Sequence, residues 1–147
     1  MDQSHLNDTW QAISRGYTRA RNAIEVALKA EKLPGLDVLD ALSALAASDE
    51  DLTAKALEHA LLMPQYGVSR LLDRTEKHGL VARVDHPTDQ RAKILKITNT
   101  GRETESRMRA VRDQALAEFL EPRARPGQQA RVTRLMGLLD QDAERAD

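Results

Sequence analysis

The 147 residues include no cysteine, which removes disulfides, thiolate metal sites and thiol redox sensing. Aromatic side chains are nearly as scarce: one Trp, two Tyr and one Phe are too few for a β sandwich built on large rings. No apolar run approaches the roughly 20 residues needed to cross a bilayer. The opening MDQSHLNDTWQ is polar and acidic, unlike a secretory signal, so a cytoplasmic protein without membrane contact is expected. Charge of a single sign is lacking too, since the formal net charge of −1 argues against a general nucleic-acid coat. His5, His59, His78 and His86 are scattered among unrelated segments, with no nucleophile–base pattern, Gly-rich phosphate loop or HExxH spacing. Neither an enzyme nor a metal or other cofactor is expected.

What the chain does have is charge of both signs, 31% of its residues, among many Ala, Leu, Arg and Glu. That mixture favours helices packed through aliphatic stripes, and the length suits a single domain over residues 1–147. Leu6, Trp10, Ile13, Tyr17, Ala20, Ile24 and Leu28 recur at steps of four and three, so the first segment reads as one long helix with a narrow apolar seam. Such a seam packs either on its own domain or on a second subunit. Leu33-Pro34-Gly35 breaks the helix, and Leu36 to Ala47, apolar almost all round, reads as a buried central helix. Thr53 can cap a short helix ending near Leu61.

The stretch from Pro64 to Gly101 joins an amphipathic helix to a basic hairpin without a spacer. Pro64 suits a first helical position, Val68, Leu71, Leu72 and Thr75 share one face, and Gly79 can end the helix at positive φ. The opposite face carries Gln65, Tyr66, Ser69, Arg70, Asp73, Arg74 and Lys77, hydrogen-bonding groups and guanidinium forks that are able to read DNA. Arg70 and Arg74 paired with Asp73 and nearby acids on a solvated face is the plainer alternative. Leu80 to Asp85 and Ala92 to Ile97 alternate as two strands, with His86-Pro87-Thr88-Asp89-Gln90-Arg91 between them. From Pro64 to Lys96 there are seven basic residues against four acidic, a surplus of three that leaves −4 for the remainder. A positive side on an acidic body is the footprint of phosphate contact. Thr98 or Thr100 can cap the next helix, with the stripe Met108, Val111, Ala115, Leu116, Phe119 and Leu120; after Pro126-Gly127 a last helix bears Val132, Leu135, Met136 and Leu139.

These residues resemble the winged helix-turn-helix of the multiple antibiotic resistance regulator (MarR) family from Leu52 to Gly101. The features that carry the likeness are Leu52-Thr53 opening the first helix of the motif, VSRLLDRTEKHGLV from Val68 to Val81, the wing signature Asp89-Gln90-Arg91, and Ile97-Thr98 followed by Gly101-Arg102. Glu58, Leu62, Gly67 and Thr75 depart from the family pattern, which prefers a small residue, a turn glycine, a good helix former and leucine at those places. The resemblance implies a mostly α fold with a small β-hairpin wing, a winged helix-turn-helix over 34–101, and dimerisation helices over 1–33 and 102–147. It also implies a homodimeric DNA-binding repressor, released from a palindromic operator by a small aromatic or phenolic ligand. DNA contacts fall on Gln65, Tyr66, Ser69, Arg70, Arg74, Asp89 and Arg91: Ser69 and Arg70 in the major groove, Arg74 mainly on phosphate, Arg91 in the minor groove. Trp10, Tyr17 and Asp37 are candidates to line the ligand crevice, though aromatics on an apolar face are more often core. Arg83, Lys93 and Lys96 either add phosphate contacts or occupy solvated strand positions. A winged helix that binds protein instead of DNA is the alternative function.

Overall fold

A computed structural model describes residues 2–62 and 65–141, with Gln65, Tyr66 and Gln141 described as backbone only. The chain begins with α1 (Gln3–Ala30), whose first turn is closed by the Asp2 carboxylate accepting the Ser4 N–H at 3.2 Å. The turn before Pro34-Gly35 leads into α2 (Leu36–Ala47), the predicted span. Leu36, Val38, Leu39, Ala41, Leu42 and Leu45 are buried there, which makes α2 the hub against which α3, α5 and the sheet pack.

Leu52-Thr53 opens the next helix as expected, from just outside its first turn. The same two residues form a short strand, β1 (Leu52–Thr53), paired antiparallel with Leu95 and Ile94. Thr53 is extended, with φ −88° and ψ 167°, and its hydroxyl accepts the Ala56 N–H at 3.2 Å, so it ends the strand and caps α3 (Ala54–Leu61) together. The expected two-stranded hairpin is therefore the larger part of a three-stranded sheet in the order β1-β3-β2, with β2 (Val81–Asp85) and β3 (Lys93–Ile97) in register from Val81 opposite Ile97 to Asp85 opposite Lys93. Leu62 closes α3 in the left-handed region, at φ 52°. The expectation that Pro64 takes a first helical position lies outside the described residues.

The next helix, α4 (Gln65–Lys77), buries Val68, Leu71, Leu72 and Thr75 as their spacing predicts, and the Thr75 hydroxyl donates to the Leu72 carbonyl at 2.9 Å. Its end is a Schellman turn: Leu80 N–H donates to the Thr75 carbonyl and Gly79 N–H to that of Glu76, both at 2.9 Å, with Gly79 at φ 69°. Thr98, and not Thr100, caps α5 (Asn99–Leu120), accepting the Gly101 N–H at 2.9 Å while donating to the Gly79 carbonyl at 2.6 Å. One hydroxyl thus pins the foot of the hairpin to the turn that ends α4. The last helix, α6 (Pro126–Gln141), has no buried residue within the described chain.

Candidate nucleic-acid interface

Burial of Val68, Leu71, Leu72 and Thr75 turns the opposite side of α4 outward, and Ser69, Arg70, Asp73 and Lys77 are exposed on it. The side chains of Gln65 and Tyr66, expected at the leading end of this face, lie outside the described residues. Beside α4 the β2–β3 hairpin projects with Asp89 and Arg91 exposed near its tip. Clefts lined by Lys55, Ser69, Leu72, Arg83, Asp89 and Arg91 run between the first turn of α3, the reader face of α4 and the hairpin. Ser69, Asp89 and Arg91 are therefore brought to one surface, joined by Lys55, which the sequence reading missed; its position two residues after the Thr53 cap was the available signal.

The ion pairs sort the basic residues into two groups. Arg83 on β2 reaches back to α4, with Nη2 at 2.6 Å from Asp73 Oδ1 and Nε at 3.0 Å from Glu76 Oε2. That second contact is an ion pair without hydrogen-bond alignment, and it leaves Nε buried and unbonded. Arg83 thus braces the hairpin against α4. Lys93 pairs with Asp85, and Lys96 with Asp51 across to the β1 side, so both lysines, read as phosphate contacts or as solvated strand positions, sit beside carboxylates. The Lys93 ammonium holds the fully exposed Asp85 carboxyl below its ordinary pKa by a hydrogen bond and by charge. Arg70, Lys77, Arg91 and Lys55 have no carboxylate partner among the described residues. The acids that the plainer reading assigned to Arg70 are consumed by the brace, leaving Arg70 as an exposed guanidinium beside neutralised neighbours.

Asp89 acts on Arg91 through the backbone: its carboxylate accepts the Arg91 N–H at 3.0 Å, and the guanidinium stays in solvent. His86 organises the same loop, its Nδ1 accepting the Asp89 and Thr88 N–H groups at 3.0 and 3.2 Å. The tip is therefore a hydrogen-bonded turn that fixes where Arg91 emerges. Arg74 lies on the flank of α4 that faces α2, where it pairs with Asp37. A residue expected to touch DNA and one expected to touch a ligand are thus partners of each other.

Trp10 and Tyr17 are 64% and 63% exposed in the single chain, so they are not part of its core. The Tyr17 hydroxyl accepts from Arg21 Nη1 at 3.2 Å. Trp10 stands 15 residues before Glu25, about 22 Å along the helix axis at 1.5 Å per residue, and Glu25 is the part of α1 that meets the start of α2. One chain does not gather Trp10, Tyr17 and Asp37 around a common cleft. The cleft between α1 and α5 is lined instead by Ala12, Arg15, Gly16, Arg19, Phe119 and Arg123, with the Arg123 guanidinium 4.3 Å from the Phe119 ring centre.

Among the described residues no group of three or more His, Cys, Asp or Glu is placed to hold a metal, and no helix is long and apolar enough to cross a membrane. The model of the MarR family matches residues 33–92. No curated protein matches the sequence. Solved structures similar in fold include a MarR-family transcriptional regulator from Rhodococcus sp. RHA1, at 21% identity and TM-score 0.80 over 97% of this chain and 96% of the other. Sco3205 from Streptomyces coelicolor, a MarR-family regulator in complex with DNA, is similar at 21% identity and TM-score 0.82 over 97% and 89%. CouR from Rhodococcus jostii RHA1, bound to p-coumaroyl-CoA, is similar at 22% identity and TM-score 0.77 over 97% and 96%. The MarR-family model thus matches the part of the chain that holds α2, α3, α4 and the first strand of the hairpin, and the fold along nearly the whole length is similar to that of MarR-family transcriptional regulators.

Proposed function

We propose that two copies of the chain form a repressor that reads a near-palindromic DNA operator and releases it when a small aromatic or phenolic ligand binds. The observation that carries this reading is the contrast in charge pairing: Arg83, Lys93 and Lys96 are each held by carboxylates, while Arg70 on the reader helix and Arg91 at the hairpin tip are left exposed. Arg70 is suited to a guanine edge in the major groove and Arg91 to a narrow minor groove, whose negative potential favours an inserted guanidinium. Residues 34–101 supply the reader, and the helices over 1–33 and 102–147 supply the dimer contact. The DNA complex of Sco3205 and the p-coumaroyl-CoA complex of CouR lend support on the side of partner and of ligand. In such a dimer the two reader helices stand about 34 Å apart, so that both enter successive major grooves.

The test is selection of duplexes from a random pool by the full chain, followed by titration of the selected duplex at several salt concentrations with aromatic acids as competitors. A symmetric site with steep salt dependence is expected. Arg91→Ala should lower the slope of log K against log salt by about one unit. Enrichment of no symmetric sequence, with affinity indifferent to salt, would point to a winged helix that binds protein and overturn the proposal.

A further inference from the structure

The start of α2 is a junction between the long first helix and the reader helix. Gly35 supplies no side-chain cap there, and the Leu36 N–H is met instead by Glu25 Oε1 of α1, at 3.0 Å. Glu25 in turn lies 3.6 Å from Arg21, which donates to the Tyr17 hydroxyl. One residue further on, Asp37 turns Oδ1 to its own chain, accepting the Val38 N–H at 2.8 Å, and Oδ2 to Arg74 of α4. Gly35 is wedged between the two carboxylates: a Cβ there would lie 3.1 Å from Glu25 Oε2 and 3.3 Å from Asp37 Oδ1. Continuous polar contacts therefore run from α1 through the first turn of α2 to the reader helix.

Arg74 is 56% exposed at its side chain although it is paired, so its guanidinium remains within reach of an approaching polyanion. Asp37 is the more enclosed partner, at 31%, and its other oxygen anchors it to the helix start. The cation can leave; the carboxylate stays. Resting on the DNA-binding reading above, we infer that Asp37 is a built-in brake on DNA affinity: it neutralises Arg74 in the free protein and competes with a backbone phosphate for the same guanidinium. Asp37 is a positioning residue that acts through Arg74. Its grip depends on the Glu25-capped junction, so a displacement of α1 at that junction alters the positive charge that the reader helix offers to DNA.

The experiment compares the wild-type chain with Asp37→Asn, Arg74→Gln and the double variant on the duplex selected by the wild type. Removal of the brake adds one phosphate contact, so Asp37→Asn should steepen the salt slope by about 0.9 and tighten binding about tenfold at 50 mM salt. Arg74→Gln should shift the slope by less, and Asp37→Asn should have no further effect in the Arg74→Gln background. Unchanged or weaker binding by Asp37→Asn overturns the brake, as does the same gain in the double variant. The Arg74 Nη2–H resonance, followed by NMR in the free protein, reads the pair without DNA and should be protected in the wild type and lost in Asp37→Asn. A wild type with a protected resonance but no salt-dependent DNA binding refutes the DNA reading, and the brake with it. A wild type that binds DNA without a protected resonance refutes the brake alone.

Discussion

Gly101 shows how a single absent methylene fixes the geometry of the reader. It sits in the first turn of α5, so close to the turn after α4 that a Cβ would fall 2.1 Å from the Leu80 carbonyl oxygen and 2.9 Å from Ile97 Cγ1. Backbone at that distance must move. Gly101→Ala should therefore destabilise the fold by about 1–3 kcal/mol, the range for overpacking, visible as a lower midpoint in urea unfolding. An unchanged midpoint would mean that α5 slides without cost. The Thr98 hydroxyl, bonded to Gly79 on one side and Gly101 on the other, depends on the same close approach. A Gly101 substitution should loosen the hairpin foot and the reader turn together.

At the scale of elements, the C-terminal cap of α3 carries strain that a glycine would avoid. Leu62 holds φ 52° with its side chain 77% exposed, so it bears the cost of the left-handed region and gains little packing in return. Leu62→Gly should stabilise the chain by up to about 1 kcal/mol, measured by thermal or urea unfolding; a loss of stability would show that the exposed leucine packs on something. Only the resemblance marked position 62 as a departure. The bounds of α2, whose apolar run ends at a polar turn, and the inward face of α4, set by helical spacing, were visible in the sequence itself. β1 was not visible, since two residues offer no alternation and pair only because β3 lies beside them. The same limit applies to the charges. Arg74 and Asp37 are 37 positions apart, and the Asp73–Arg83–Glu76 brace depends on how the hairpin folds back. Local pattern placed these residues on the right elements, but it could not say which cations would be neutralised. Two alternatives that the sequence left open, Thr98 against Thr100 and Arg70 as a merely paired surface residue, were decided by contacts of this kind.

Over the whole molecule, the apolar surface is unevenly spent. Ile24 and Leu28, at the end of α1, are buried in the chain's own core, whereas Leu6 and Trp10 at its beginning and Val132, Leu135, Leu138 and Leu139 on α6 are about half exposed or more. A 16-residue helix with no buried side chain among the described residues lies near the length at which isolated helices are marginal in water. A second copy covering both ends accounts for that exposure, and this is the dimer proposed above. Trp10→Asp places a charge on the seam without touching the core of a single chain. It should yield monomers of unchanged helix content, by light scattering and circular dichroism; an intact dimer would take Trp10 out of the contact.

The bare flank of α6 also bears on dosage. If each protomer must borrow its mate's surface before two readers can span adjacent grooves, then below the assembly constant the amount of competent repressor grows with the square of the protomer concentration. A twofold fall in synthesis would then cut operator occupancy up to fourfold, giving the regulated promoter a threshold that ligand affinity alone would not set.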